Sequence, residues 1–416
     1  MKILVLSPFF PWPLYGGNVI RIFGILKELS CRGHEIFLLA GHSGPAPSPE
    51  NPVGSLCREM QFYRPPGSSQ PSHSLQARLR ALFSPYPYNA SRFGSNEIRR
   101  VIQTILARQH FDLILANFAF LADSVPRKVA RGTPVVLDEH ESEGLLWRQY
   151  LRQGSVAMRA FALLNLLKLA WFQKRLASRI EAILCASDRE TEFARSFIPA
   201  KVGLWTVPNG IDADSYRSLL TAQKESNAII LCGGLSVFRN RLAALWFAQK
   251  VFPAVRREVP DAEFWIVGSD PNQEIRDLEK TPGIHVTGTV EDVRPYYARA
   301  AVSVAPYRYG EGTKLKVLEA MASGVPVVAT TIGCQGIDVV HGEHVLIADS
   351  EKDFSGQVID LLHHAEKRAH LARAARRRIE EKYTWKKIVG DLEPKLLALA
   401  KKGRGSCEKT RCSGGF

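Results

Sequence analysis

Cysteine is scarce in this chain: seven residues in 416, at positions 31, 57, 185, 232, 334, 407 and 412. The number is odd and no two cysteines have Cys-x-x-Cys spacing, so neither a zinc site nor a disulfide framework is indicated. The expectation is a reduced, cytoplasmic protein. Long apolar runs are lacking too. A membrane-spanning helix takes about 20 predominantly apolar residues. The most apolar stretch, Val156–Trp171, is interrupted by Arg159 and Lys168 and is expected not to span. Met1–Leu6 lacks the long apolar core of a signal peptide and reads as a first strand. No repeat of solenoid period is present. Signatures of zinc fingers, helix-turn-helix motifs and RNA-recognition domains are missing, so nucleic acid is not an expected partner.

What is there is ordinary globular composition, 45% hydrophobic and 23% charged, at a length that suits two domains. The formal charge of +14 comes from 55 Lys+Arg against 41 Asp+Glu, and such a surplus attracts nucleic acid, anionic lipid or phosphorylated substrates without choosing among them. It is concentrated early. Between Val53 and His110 lie Arg58, Arg64, Arg78, Arg80, Arg92, Arg99, Arg100 and Arg108, against only Glu59 and Glu97. Val156–Arg179 carries cations and no acid; Phe161, Leu164, Leu167 and Trp171 among them suit a helix on anionic lipid, or a core helix whose cations face water.

Short β-branched runs alternate with longer amphipathic segments. The first half has candidate strands at Lys2–Leu6, Glu35–Ala40, Asp112–Ala116, Pro134–Asp138 and Ala182–Ala186. The second has them at Ala228–Cys232, Glu263–Val267, Ile284–Thr287, Val302–Ala305 and Val325–Ala329, with helical patterns such as Val19–Ser30 and Leu242–Glu258 between strands. Alternation of this kind implies parallel sheets covered on both faces. Two doubly wound domains are expected, 1–210 and 226–382, with a break near Asp212–Asn227 after the turn Pro208-Asn209-Gly210. A helix over 383–402 and an irregular tail over 403–416 follow, and Gly41–Pro71 reads as an irregular excursion.

Ligands of open parallel sheets bind beyond the carboxyl ends of the strands. There the sequence is most distinctive: Tyr309-Gly310-Glu311-Gly312-Thr313-Lys314-Leu315-Lys316-Val317-Leu318-Glu319 opens a helix. Backbone N–H groups at a helix start attract anions, and glycines let a ligand approach them. Lys316 and Glu319, three apart, share a helix face. Carboxylates with lysines between them suit a ligand that is both hydroxylated and phosphorylated.

The Glu311-x7-Glu319 spacing, running into Ala320–Val328, resembles the signature of the retaining GT-B glycosyltransferases of family 4. Phe238-Arg239-Asn240, Val251-Phe252-Pro253, Pro260-Asp261-Ala262, Ile266-Val267-Gly268 and Gly288–Val293 look like the same family's donor domain. The resemblance covers nearly all of 228–390. It implies two Rossmann-like domains facing across a cleft, and transfer from a nucleotide-diphosphate sugar with retention. The acceptor would be a lipid-linked or polysaccharide intermediate of cell-surface glycan synthesis. No metal or other cofactor is implied, and contact with an anionic membrane at its inner face would be peripheral. A nucleotide-sugar epimerase of this build and a noncatalytic nucleotide-sugar-binding protein are the alternatives.

Residue by residue, the resemblance gives Glu311 the donor sugar's hydroxyls, Glu319 the ribose and Lys316 the diphosphate. Lys314 and the N–H groups around Gly312, Thr313 and Leu315 would assist, and the base would rest near Gly268 and Val290. The cation that usually follows the glycine of this domain's first strand is replaced, since Gly233 precedes Gly234, and Arg239 or Arg241 is the candidate substitute. The first half matches more loosely. Gly16 and Gly17 would lie under the donor phosphates and the attacking hydroxyl, and His140, in Asp138-Glu139-His140-Glu141, would contact the transferred sugar.

Overall fold

The computed structural model describes residues 1–14, 16–44, 47, 51–65, 81–126, 132–140, 142–221, 227–310 and 312–412. The chain divides into two units, Met1–Pro208 with Ile388–Phe416, and Asn209–Lys387.

The first unit is built on strands β1 (Lys2–Ser7), β2 (Glu35–Gly41), β3 (Glu59–Tyr63), β4 (Leu113–Asn117), β5 (Val135–Glu139), β6 (Ala182–Cys185) and β7 (Gly203–Thr206). They form one sheet in the order β3-β2-β1-β4-β5-β6-β7, with every pairing parallel. Ile3, Leu4, Val5 and Leu6 of β1 are all buried, as a strand covered on both faces requires. The second unit holds β8 (Ala228–Cys232), β9 (Glu263–Val267), β10 (Ile284–Gly288), β11 (Val302–Ala305), β12 (Val327–Ala329) and β13 (Leu346–Ile347). Their order is β10-β9-β8-β11-β12-β13, again parallel. In both sheets the winding direction reverses beside the first strand. The reversal leaves a crevice where the loops diverge.

Three strands were not among those expected: β3, β7 and β13. Each lies at the outer edge of its sheet, and none is a run of buried aliphatic residues; β3 is half-buried with the pattern Glu-Met-Gln-Phe-Tyr. The Gly41–Pro71 excursion therefore contains, in its described part, a short helix at Pro52–Leu56 as well as β3. Residues 212–221, read as part of a polar break, belong to the second unit together with Asn209 and Gly210, since Ala213 and Leu219 are buried in its core. The expected Leu242–Glu258 helix begins at Phe238 and is interrupted by a π turn at Phe247–Val251 before Phe252–Glu258. Pro253, which has no N–H to donate, accounts for the interruption.

Four helices matter below: α1 (Gly17–Cys31), α2 (Val156–Leu176), α3 (Leu315–Ala322) and α4 (Trp385–Cys412). By length and composition α2 is apolar enough to cross a membrane. In this fold one of its faces, with Ala162, Asn165, Leu169, Phe172 and Leu176, is buried in the first unit. The tail expected to lack structure from Gly403 continues α4 to Cys412; residues 413–416 lie outside those described.

Part of α4 packs within the first unit through Ile388, Val389, Leu392, Leu396 and Ala400, which recur at helical spacing. Glu393, on the same helix, accepts from His34 Nε2 at 2.8 Å and Arg32 Nη1 at 2.9 Å. Denaturant unfolding of Leu396→Ala should show a loss of about 2–5 kcal/mol, the usual result of emptying a fully buried leucine site. Glu393→Gln should lose about 1 kcal/mol or less, because the Arg32–Glu393 bridge is partly exposed and glutamine can still accept from His34.

Candidate active site

At the carboxyl edge of the first sheet, Gly16 caps α1 with φ +114°, a left-handed conformation that favours glycine, and a side chain there would meet nothing within 4 Å. Gly17 begins the helix, and one turn further Arg21 is turned inward, 1% exposed, onto Asp138 at the end of β5. Arg21 Nε lies 3.0 Å from both carboxylate oxygens, Nη2 lies 2.7 Å from Oδ1, and Nη1 donates to the Val207 carbonyl at 2.8 Å. Burial works against the Asp138 charge, but the Arg21 guanidinium, with His140 beside it, holds that carboxyl well below the usual carboxylate range.

His140 follows two residues later and is also buried. Its Nε2 lies 2.9 Å from Asn117 Oδ1 and 3.4 Å from Asp138 Oδ2, and the ring stacks on Phe118 at 4.5 Å. Burial pushes the imidazole toward its neutral form, against the pull of Asp138. Glu139 is pushed up to about 8 by burial and then by Glu190, Glu143 and Asp138, so it is largely protonated at neutral pH. Tyr15 and Glu141 lie outside the described residues.

In the second unit the crevice lies between the ends of β8 and β11. Gly233 follows β8 and Gly268 follows β9; a Cβ on Gly268 would sit 1.8 Å from the Gly233 carbonyl oxygen, so these two backbones touch. After β11 the loop carrying Gly310, Gly312 and Thr313 leads into α3, whose first residue is Leu315. Its N-cap, Lys314, gives no side-chain cap; Val317 N–H donates to the Lys314 carbonyl at 2.9 Å, leaving the Leu315 and Lys316 N–H groups for another acceptor. The Lys314 ammonium turns back on its own loop, donating to the Gly312 carbonyl at 2.8 Å and the Gly310 carbonyl at 3.2 Å. Thr313 Oγ1 lies 3.5 Å from the Gly336 carbonyl.

On α3, Lys316 Nζ lies 3.0 and 2.9 Å from the two oxygens of Glu319, which is buried. Burial opposes the Lys316 charge, yet the Glu319 carboxylate holds the ammonium above its ordinary value. Tyr297 hydroxyl donates to the Lys316 carbonyl at 3.3 Å. Arg239 packs against the same loop, its Cδ 2.8 Å from where a Cβ on Gly310 would be. The Tyr307 hydroxyl, pushed up to about 12 by burial, feels the opposing charges of Lys316 and Arg239 together.

Lys316, Glu319, Lys314, Gly310, Gly312 and Arg239 are thus gathered at one loop and helix start. Val290 stands after β10, two strands from β8, partly buried on the unit's core. Glu311 lies outside the described residues. Sequence reasoning missed Asn117 and Asp138 as site residues and gave Arg21 no role. Arg21 and Asp138 are 117 positions apart, and no local pattern joins them. Among the described residues no three His, Cys, Asp or Glu side chains gather as a metal cluster.

Comparison with known proteins agrees with this architecture. The family model "Glycosyl transferase 4-like domain" matches residues 16–210, and "Glycosyl transferases group 1" matches 226–364. An uncharacterised 44.6 kDa protein of the cps region of Klebsiella pneumoniae is 21% identical over 94% of this chain and 98% of that one. A GDP-mannose-dependent phosphatidylinositol monomannoside mannosyltransferase of Mycobacterium tuberculosis is 28% identical over 50% of this chain and 59% of its own. Among solved structures, sucrose-phosphate synthase of Thermosynechococcus elongatus superposes with TM-score 0.68 at 17% identity, covering 96% of this chain and 100% of that one. HepE of Anabaena, in complex with UDP and glucose, gives 0.64 at 16% identity, covering 95% and 99%. With both units wound as Rossmann-like sheets and each matched by its own transferase domain, the chain belongs to the GT-B glycosyltransferases.

Proposed function

We propose that this enzyme moves a sugar, with retention at the anomeric carbon, from a nucleoside diphosphate sugar to a hydroxyl of a lipid-linked or polysaccharide acceptor in cell-surface glycan synthesis. One observation carries the reading. An uncapped helix start, a glycine loop, two cations and a buried carboxylate meet at the crevice of the second unit's sheet. Glu319 has the acceptor oxygens a ribose needs, and Lys316 can exchange its carboxylate partner for a diphosphate. Arg239, against Gly310, is the second cation. The cps-region relative supports the surface-glycan assignment, and the UDP complex of HepE supports a nucleotide-sugar donor.

In the reaction the bond from C1 to the diphosphate oxygen breaks and one from C1 to the acceptor oxygen forms on the same face. The acceptor's proton passes to the departing diphosphate. Lys316 and the α3 N–H groups meet the developing charge, which is where preorganised dipoles act most strongly. A resident metal has no part in this scheme. Glu311 keeps the sugar-hydroxyl role that the family resemblance gives it, and His140 contacts the transferred sugar.

The enzyme would work at the inner face of the membrane, touching it peripherally through the outward face of α2. Leu163, Leu167 and Trp171 there are 50%, 65% and 49% exposed, opposite the face buried in the core. Lys168 donates to the Ala81 and Leu82 carbonyls, which ties the segment before the 88% exposed Phe83 to this helix. Apolar side chains among Arg159 and Lys174, with no acid in the segment, match an anionic lipid surface.

A thermal-shift screen over UDP, GDP, ADP and their sugars should reveal one stabilising series. Glu319→Ala should weaken that nucleotide roughly tenfold to a hundredfold. Lys316→Ala should lower turnover by about two to three orders of magnitude; wild-type turnover would remove Lys316 from the mechanism. Activity should persist in excess EDTA. Phosphatidylglycerol vesicles should sediment the protein at low salt and release it as salt rises, and the double variant Leu163→Glu/Leu167→Glu should stay in solution. No sedimentation at low salt would end the membrane assignment.

A further inference from the structure

The orientation of His140 follows from a chain of hydrogen bonds that begins in β1. The Leu6 carbonyl can only accept, and Asn117 Nδ2 donates to it at 2.9 Å. That contact fixes the Asn117 amide, so the group 2.9 Å from His140 Nε2 is its oxygen. The other neighbour of Nε2 is Asp138 Oδ2 at 3.4 Å, and Arg21 keeps that carboxylate ionised and unable to donate. Two obligate acceptors therefore face Nε2, which must carry the ring hydrogen. Nδ1 is buried and has no hydrogen-bond partner among the described residues. The imidazolium would bury an N–H there without an acceptor, which is costly. Phe118, stacked on the ring with its own N–H bonded to the Asp138 carbonyl, holds the plane in place.

We propose that Asn117 and Asp138 are positioning residues that lock His140 as the neutral Nε2–H tautomer, so that its Nδ1 lone pair accepts a hydrogen bond from a hydroxyl of the transferred sugar. This rests on the sugar-transfer reading and gives His140 a defined polarity: an acceptor, not a proton donor. Arg21 acts one step further back, by keeping Asp138 charged. The charged groups facing the imidazole are Asp138 and Arg21, which act in opposite directions, and burial outweighs the pull of Asp138.

Nitrogen-15 spectra of the full-length protein with labelled histidine test the tautomer directly, with the His140→Gln spectrum assigning the signal. At pH 7 we expect a protonated Nε2 and a bare Nδ1; an Nδ1–H tautomer or an imidazolium would overturn the proposal. Asn117→Asp sets a second carboxylate at Nε2 and should convert His140 to the imidazolium at pH 7. Turnover of the sugar nucleotide that stabilises the wild type should then fall roughly tenfold to a hundredfold, with the thermal shift given by the parent nucleotide retained. An unaltered His140 signal in that variant would count against the lock. Finally, UDP-glucose, GDP-mannose and ADP-glucose are titrated beside UDP, GDP and ADP. The Nδ1 signal should move with a stabilising sugar nucleotide and not with its parent. If a sugar nucleotide stabilises the protein and Nδ1 stays still, the hydroxyl contact is wrong. If none of the six stabilises it, the donor reading fails while the tautomer stands or falls on its own spectrum.

Discussion

The guanidinium of Arg21 and the carboxylate of Asp138 are both cut off from water, 1% and 0% exposed, and neither could be buried without the other. Removing one partner of such a pair typically costs about 3–5 kcal/mol, because the survivor is left charged in a poor solvent. The constraint reaches beyond stability. The pair pins the first turns of α1 to the end of β5 and, through the Val207 carbonyl, to the stretch just before Pro208. Gly16 at the head of that helix and His140 beyond that strand are therefore set at one edge of the sheet by a single contact. Its contribution has a pH direction: with the folded pKa of Asp138 depressed, it is present above the ordinary carboxylate value of about 3.9 and lost as pH falls below it.

The second unit holds its key charges differently. Lys316 and Glu319 are an i,i+3 pair on one helix, with the lysine side chain 35% exposed. Pairs of this kind contribute only a few tenths of a kcal/mol in isolation. With its lysine end open, this pair would be free to trade partners in the proposed reaction, whereas the Arg21–Asp138 pair would not without unmaking its unit. One ion pair serves architecture; the other is the one proposed to serve binding.

Local pattern and long-range contact divide what the sequence could reveal. Nine of the ten strands legible in the sequence are inner ones, covered on both faces and written as short aliphatic runs, as in Ile3–Leu6 and Ile229–Leu231; the tenth, β10, is an edge strand. Edge strands such as β3 bury less and lose that signature. The glycine loop with Lys316 and Glu319 was legible because its parts lie within one turn of each other. Arg21, Asn117 and Asp138 were not, since their chemistry exists only once α1, β4 and β5 are brought side by side. The bonds of Lys168 to the Ala81 and Leu82 carbonyls were hidden for the same reason, since they join positions more than 80 residues apart.

The two edges also differ in net charge, in a way that suits the proposed chemistry. As a glycosidic bond to diphosphate loosens, positive charge develops on the sugar ring and negative charge on the leaving group. Cations are useful on the second and harmful near the first. At the first unit's edge Arg21 is fully matched by Asp138, His140 is neutral, and Glu139 is largely protonated, so no uncompensated charge stands among these groups. At the second unit's loop the helix start and Lys316 are joined by Arg239 beside Gly310. A histidine held as a lone-pair donor can approach an electron-poor ring; an imidazolium in its place would oppose the charge the reaction must create. In the proposed reaction, the burial that keeps His140 neutral would thus be as much a part of the electrostatics as the cations offered to the diphosphate.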